Sequence, residues 1–242
     1  MKVGISAIVL LIVFQCMALF LFPVAALATD SDIVINEIMY NPATSQGSDT
    51  NYEYIELVNI GTQSVDVNGW QISDNAETDT IGPYHPGSPT TIHPGGYAFI
   101  RDNDSYLVVK SGIHLAVDDS NIGNNLNNTG DDLTLSNGAV IIDTVSYESG
   151  DGADGNGSSL ECRNPTLDNS TTGNGNWGES TPSSEYGTPG LQNSIYIGPL
   201  PPVPEYPVIL LCSLGLVALA SIIFFARNRR SLPRELKIGN ML

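Results

Sequence analysis

The sequence predicts an all-β fold, an antiparallel β-sandwich held between two apolar terminal segments, and three observations predict it. Between Asp32 and Trp177 the apolar residues fall in short runs with near-alternating polar neighbours, the period of a half-buried strand. Turn residues, Asn-Gly, Pro-Gly and Gly-Gly among them, punctuate those runs. No helical period of apolar residues occurs in the same region, which argues against bundles and against alternating strand and helix architectures.

Met1-Lys2, an apolar run over residues 3–22, Pro23 and the exit signal Ala26-Leu27-Ala28 describe a secretory signal peptide over residues 1–28, cut between Ala28 and Thr29. The run is also long enough for an uncleaved anchor, since about 20 apolar residues cross a bilayer. IVINEIMYNP, from Ile33, reads as a β-branched strand stopped by Asn41-Pro42, because proline cannot continue a ladder. Residues 54–60 and 65–72 read as a β-hairpin joined by Gly-Thr-Gln-Ser, with Trp70 as its core anchor. After Asp74 a polar stretch carrying Pro83, Pro86, Gly87 and Pro89 reads as a loop. Short strands are expected at 97–101 and 106–110, and a second hairpin at 132–135 and 140–147 around Ser136-Asn137-Gly138. The Gly-rich segment 151–157 leads into a final strand, so the sandwich domain spans residues 30–193.

Pro199, Pro201, Pro202 and Pro204 make residues 194–206 a Pro-rich stalk. Residues 207–226 are mostly apolar and are followed by Arg227-Asn228-Arg229-Arg230, the pattern of a transmembrane helix with a cytoplasmic basic tail over 227–242. The expected location is therefore the cell membrane, single-pass, with the domain on the extracellular side.

Residues 30–206 hold 25 acidic and only three basic side chains, Arg101, Lys110 and Arg163. A phosphate backbone is bound through Lys and Arg, so no nucleic acid partner is expected. Such a surface suits a solvated extracellular face, high salt or divalent cations. Cys16 and Cys212 lie in the apolar terminal segments, which leaves Cys162 either a buried thiol or half of an intermolecular bridge.

Asp151, Asp154 and Asn156 place oxygen atoms at spacings open to calcium, although off the EF-hand register; the other reading is a Gly-rich turn. Asp118-Asp119 and Asp131-Asp132 are either solvated loop charges or a shared ion site. Glu37 and Glu56 lie on strands and could form the carboxylate pair of a glycoside hydrolase, but are expected on the solvent side. His85, His93 and His114 have no nucleophile elbow or paired cysteine beside them, so no catalytic residue and no enzyme activity are expected. Four N-x-[ST] sequons, at Asn103, Asn127, Asn156 and Asn169, are candidate glycan acceptors.

IVINEIMYNP, EYIELVNIGTQSVDVNGWQIS, HPGGYAFI, TGDDLTLSNGAVIIDTVSY, DGNGSSLECRNP and STPSSEYGTPGLQNS follow one another in an order that resembles the lamin-tail domain family in its prokaryotic, secreted form. The resemblance implies an immunoglobulin-like sandwich acting as an interaction module, without catalytic residues. Members of that family often carry Arg where Cys162 stands; here Arg163 follows it. Pro204, Glu205, Tyr206 and Pro207, with the apolar segment and Arg cluster behind them, resemble the PEF-CTERM sorting signal of archaeal surface proteins. Tyr206 stands where Phe is usual, and residues 231–242 continue past the cluster. That resemblance implies an archaeosortase that exchanges the helix for a lipid; the alternative is a retained anchor. The expected function is a non-catalytic cell-surface module binding envelope protein or glycan, with calcium-dependent adhesion through acidic loops as the alternative and a hydrolase as the remote one. Its expected contacts are the membrane through the C-terminal helix and, as processing enzymes, a signal peptidase and an archaeosortase. No cofactor is expected unless calcium serves.

Overall fold

A computed structural model of the chain describes residues 30–47, 49–101, 111–119, 121–138, 140–181 and 187–198. The signal segment, Asn103, the strand expected at 106–110, the sorting motif, the span 207–226 and the basic tail lie outside the described residues. Among those described, no helix is long and apolar enough to cross a membrane.

Twelve strands are described: β1 Ile33–Met39, β2 Tyr54–Asn59, β3 Val65–Asp66, β4 Gln71–Ser73, β5 Thr78–Pro83, β6 Thr91–Ile92, β7 Tyr97–Arg101, β8 Ile113–Val117, β9 Gly130–Asn137, β10 Val140–Glu148, β11 Leu160–Cys162 and β12 Trp177–Glu179. Ten of them form one curled sheet in the order β10-β9-β4-β5-β8-β7-β2-β1-β11-β12, and β3 pairs with β6 apart from it. The curl turns on β5. Its first half, Thr78 to Thr80, pairs with β4, while its second half, Ile81 to Pro83, pairs with β8. One strand thereby belongs to both layers, and the two layers close over a common apolar core as in an immunoglobulin-like sandwich.

The layers are clasped on the far side by a polar contact. A β-bulge between Ile35 and Glu37 frees the Ile35 amide from the ladder, and a second bulge lies between Ile141 and Asp143. The Ile35 amide donates to Asp143 Oδ2 at 2.7 Å, and Asn169 Nδ2 donates to the same oxygen at 2.8 Å. Two irregularities in facing strands are thus joined by one carboxylate, which burial pushes above its ordinary pKa.

The core holds Ile33, Ile35, Ile55, Leu57, Ile100, Leu115, Leu135 and, at 4% exposure, Trp70. Trp70 is the anchor that its flanking strand patterns predict, but the hairpin predicted around it is not formed. β2 pairs with β1 and β7, while β3 pairs with β6 and β4 with β5 and β9. Residues 60–64 carry the chain from the ten-stranded sheet to the separate β3–β6 pair. The Asn59 amide side chain secures the crossing, donating to Gln63 O and Ile92 O and accepting from the Gly61 amide. The second predicted hairpin is present as β9 and β10. β5 replaces the loop expected after Asp74, and β8 has no counterpart among the expected strands: TDTIGP is polar and ends on proline, and IHLAV lies alone behind a glycine.

Candidate functional site

β1 and β2 are buried along their whole length, which a two-layer sandwich alone does not require. One face of each meets the core. The other is covered by residues 187–198, a strap that crosses the outside of the layer. On this outer face the register sets Glu37 of β1 opposite Glu161 of β11 on one side and Glu56 of β2 on the other. The row continues through Phe99 of β7 and His114 of β8. Met39, Tyr54 and Phe99 make a small apolar cluster beside it.

All three glutamates are fully buried, which corrects the solvent-side placement expected for Glu37 and Glu56. Alternation in a strand reports which face a side chain takes. It does not report whether a later segment covers that face. Glu37 Oε1 accepts from the Tyr54 hydroxyl at 2.7 Å, the Ser159 hydroxyl at 2.5 Å and the Thr188 amide at 2.7 Å. Glu56 accepts from Asn36 Nδ2 and the Gly190 amide, and Glu161 from the Ser194 hydroxyl and the Ile195 amide. Burial and the neighbouring Glu161 charge push Glu37 up to about 7; burial first, then the neighbouring charge of Glu37, raises Glu56, and burial raises Glu161. The local sequence explains how the strap comes so close. Gly187 has φ +74°, and a Cβ there would lie 2.1 Å from Glu37 Oε1. A side chain at this position would take the space the carboxylate fills.

The loops hold a second acidic group. Glu77, Asp79 and Asp119 bring carboxylate oxygens within 4.8 Å of one another. Asp79 is buried and accepts from the Gly123 amide at 2.5 Å, and burial pushes its carboxyl up to about 6. Asp118 is not part of the group: it accepts from the Thr80 amide, which holds it below the ordinary carboxylate range. Asp131 accepts from the Asn75 amide, and Asp132 from the Ser146 hydroxyl.

The residues singled out at 151–156 are dispersed among separate partners. Thr172 donates to Asp151, Asn41 Nδ2 to Asp154 Oδ1, and the Asn156 amide to Glu179 Oε1. The Gly-rich segment is thus tied down as a turn. Among the sequons, Asn127 is exposed, and its Oδ1 accepts from the Thr129 amide and hydroxyl. Asn156 is also exposed but its amide is engaged, and Asn169 is 9% exposed with its amide given to Asp143 and Ile35 O. Cys162 is a free, buried thiol in the core, pushed up to about 12 by burial. Neither the Glu77 group nor the strap was legible as a site, because each joins residues from segments far apart in the chain.

One more cluster lies on the outer face. The Arg101 guanidinium carbon stands 3.9 Å from the Tyr84 ring centroid, and His114 packs edge-on against Phe99 with centroids 4.5 Å apart. Such stacking fixes a cation on an aromatic surface.

No curated protein and no solved structure matches the chain. The family model for the Lamin Tail Domain matches residues 27–149, just over half of the sequence, taking in β1 through β10 and two of the three buried glutamates. With the strand motifs in the family's order and the curled all-β fold they build, the chain belongs to the lamin tail domain family.

Proposed function

We propose that this protein is a non-catalytic interaction module, tethered outside a prokaryotic cell by its C-terminal apolar segment, that binds envelope protein or glycan through the loops and faces of the sandwich. One observation carries the reading. The strand carboxylates that would serve a hydrolase, Glu37 and Glu56, lie beneath the strap with their oxygens taken by protein donors. A glycosidase needs its two carboxyl groups open to a sugar and to water. The acidic composition supports a well-hydrated exported face and argues against nucleic acid. The signal peptide, the sorting of the C-terminus and the archaeal origin belong to the same proposal and rest on the sequence patterns.

The test is retention of purified native envelope components on the immobilised full chain, compared with calcium and with chelator. Capture of a defined protein or glycan in both buffers supports a metal-independent module. Hydrolysis of envelope glycan by the pure chain, abolished by Glu37→Gln or Glu56→Gln in a folded variant, overturns the proposal.

A second reading, calcium-dependent adhesion, is favoured by the Glu77, Asp79 and Asp119 group rather than by the 151–156 loop. An ion bound only by the folded chain raises the melting temperature with its concentration. Millimolar calcium is then expected to raise Tm in the parent and not in Asp79→Asn. An unchanged Tm in the parent removes this reading.

A further inference from the structure

The strap joins no ladder at the glutamate row; it is held there by donors aimed at carboxylates. One of those donors is over-subscribed. The Thr188 hydroxyl oxygen stands 3.1 Å from Glu37 Oε2 and 2.9 Å from Glu161 Oε1. A hydroxyl has one proton and can donate to only one of them. With both carboxylates ionised, the other contact sets oxygen lone pairs against oxygen lone pairs in a part-buried place, between two carboxylates that are themselves fully buried. A proton on either carboxyl turns that contact into a hydrogen bond, the acid donating to the Thr188 oxygen while the hydroxyl donates to the second carboxylate.

We propose that residues 187–191 form a proton-operated latch: a proton held between Glu37 and Glu161 at the Thr188 hydroxyl seats the strap on the outer sheet face, and loss of that proton releases it.

The surroundings favour this reading. From β2, Tyr54 donates to Glu37, and Glu56 adds a third carboxylate. From β7, Tyr97 stands near Glu56, and Arg101 is opposite Tyr54 but committed to the Tyr84 and Phe99 rings. His114 of β8 packs on Phe99, and Tyr196 of the strap lies toward Tyr97 and Cys162. Just after β11, the Arg163 side chain lies over Gly178, the register partner of Glu161, with its Nε donating to Trp177 O; burial leads in raising each glutamate, and a neighbouring glutamate follows for Glu37 and Glu56. An upward-shifted carboxyl means the seated strap binds protons that the released one gives up, so seating is favoured at acid pH. It weakens as pH rises from 4.5 toward the value of about 7 at Glu37. Asn193 supplies an internal control. Its amide side chain donates to Asn36 O and Cys162 O, and its carbonyl oxygen accepts from Asn36, so none of these bonds titrates.

The experiment is hydrogen exchange on the full chain in detergent micelles at pH 5.5 and 8.5, corrected for the intrinsic base-catalysed rate. Protection of the Thr188 and Gly190 amides is expected to fall at least tenfold at the higher pH relative to Leu57 and Ile100. Equal protection at the two pH values, or an equal loss in β2 and β7, overturns the latch. In Glu161→Gln the amide donates to Thr188 permanently, so the strap stays protected at pH 8.5. Opening of that variant overturns the proposal too. Thr188→Ser is expected to keep the pH step and Thr188→Val to lose it, which tests the shared hydroxyl even if the glutamine variant does not fold.

Discussion

Trp70 shows how much a single side chain reveals through its neighbours in sequence. Its size and its place between strand patterns identify it as core, and it is 4% exposed among Ile72, Leu135 and their neighbours. Trp70→Ala is expected to cost about 3 to 5 kcal/mol, the usual loss for a large aromatic in a core, read as a lower urea midpoint. Asn169 shows the opposite. Its sequon reads as a surface acceptor, yet the side chain helps clasp the two layers through Asp143. Glycopeptide mass spectrometry of the native protein is therefore expected to find glycan at Asn127 and none at Asn169. The solvent-side expectation for Glu37 and Glu56 fails for a related reason. Carboxylates in a strand are normally solvated, and what covers these two lies more than 130 residues away along the chain.

Among the elements, apolar runs were the most legible and partners the least. β1, β2, β7 and the β9–β10 hairpin follow their sequence patterns closely. The hairpin expected at 54–72 does not form because strand periodicity says which face is buried and is silent on which neighbour pairs. The strap has the sequence of a loop and stalk, because Gly187-Thr188-Pro189-Gly190 has no strand signal. That composition is what its position demands. Gly187→Ala combines an unfavourable positive φ, about 1 kcal/mol by itself, with a Cβ placed on Glu37 Oε1. Strap amides in this variant are expected to exchange at the rate of an open segment at every pH, while β7 and β8 stay protected.

For the domain entire, the three upward-shifted glutamates set the sign of its pH dependence. Asp and Glu that gain partners usually stabilise a fold above their unfolded pKa; these three bind protons more tightly when folded. The contribution of Glu37 is complete below pH 4.5 and is lost as pH rises through about 7, and Glu56 and Glu161, both raised by burial, act in the same direction. The urea midpoint of the full chain is expected to be lower at pH 8.5 than at pH 5.5, and Glu37→Gln is expected to flatten that difference. A midpoint that rises with pH would contradict the assignment. The acidic composition was plain in the sequence, but its concealed part, which reverses the usual trend, was not.

The path of the strap also has a mechanical meaning. Its attachments are strung along the chain: the Ile197 amide to Arg163 O, Ser194 and Ile195 to Glu161, Asn193 to Asn36, Gly190 to Glu56 and Thr188 to Glu37. Tension applied from the C-terminal side loads them one after another, as a zipper opens, whereas the paired strands of the core bear load together in shear. About twelve residues let out at about 3.5 Å each would give roughly 40 Å of slack before the core feels any force. Under load from the C-terminal side, the strap would act as a mechanical fuse that yields first and leaves the sandwich whole.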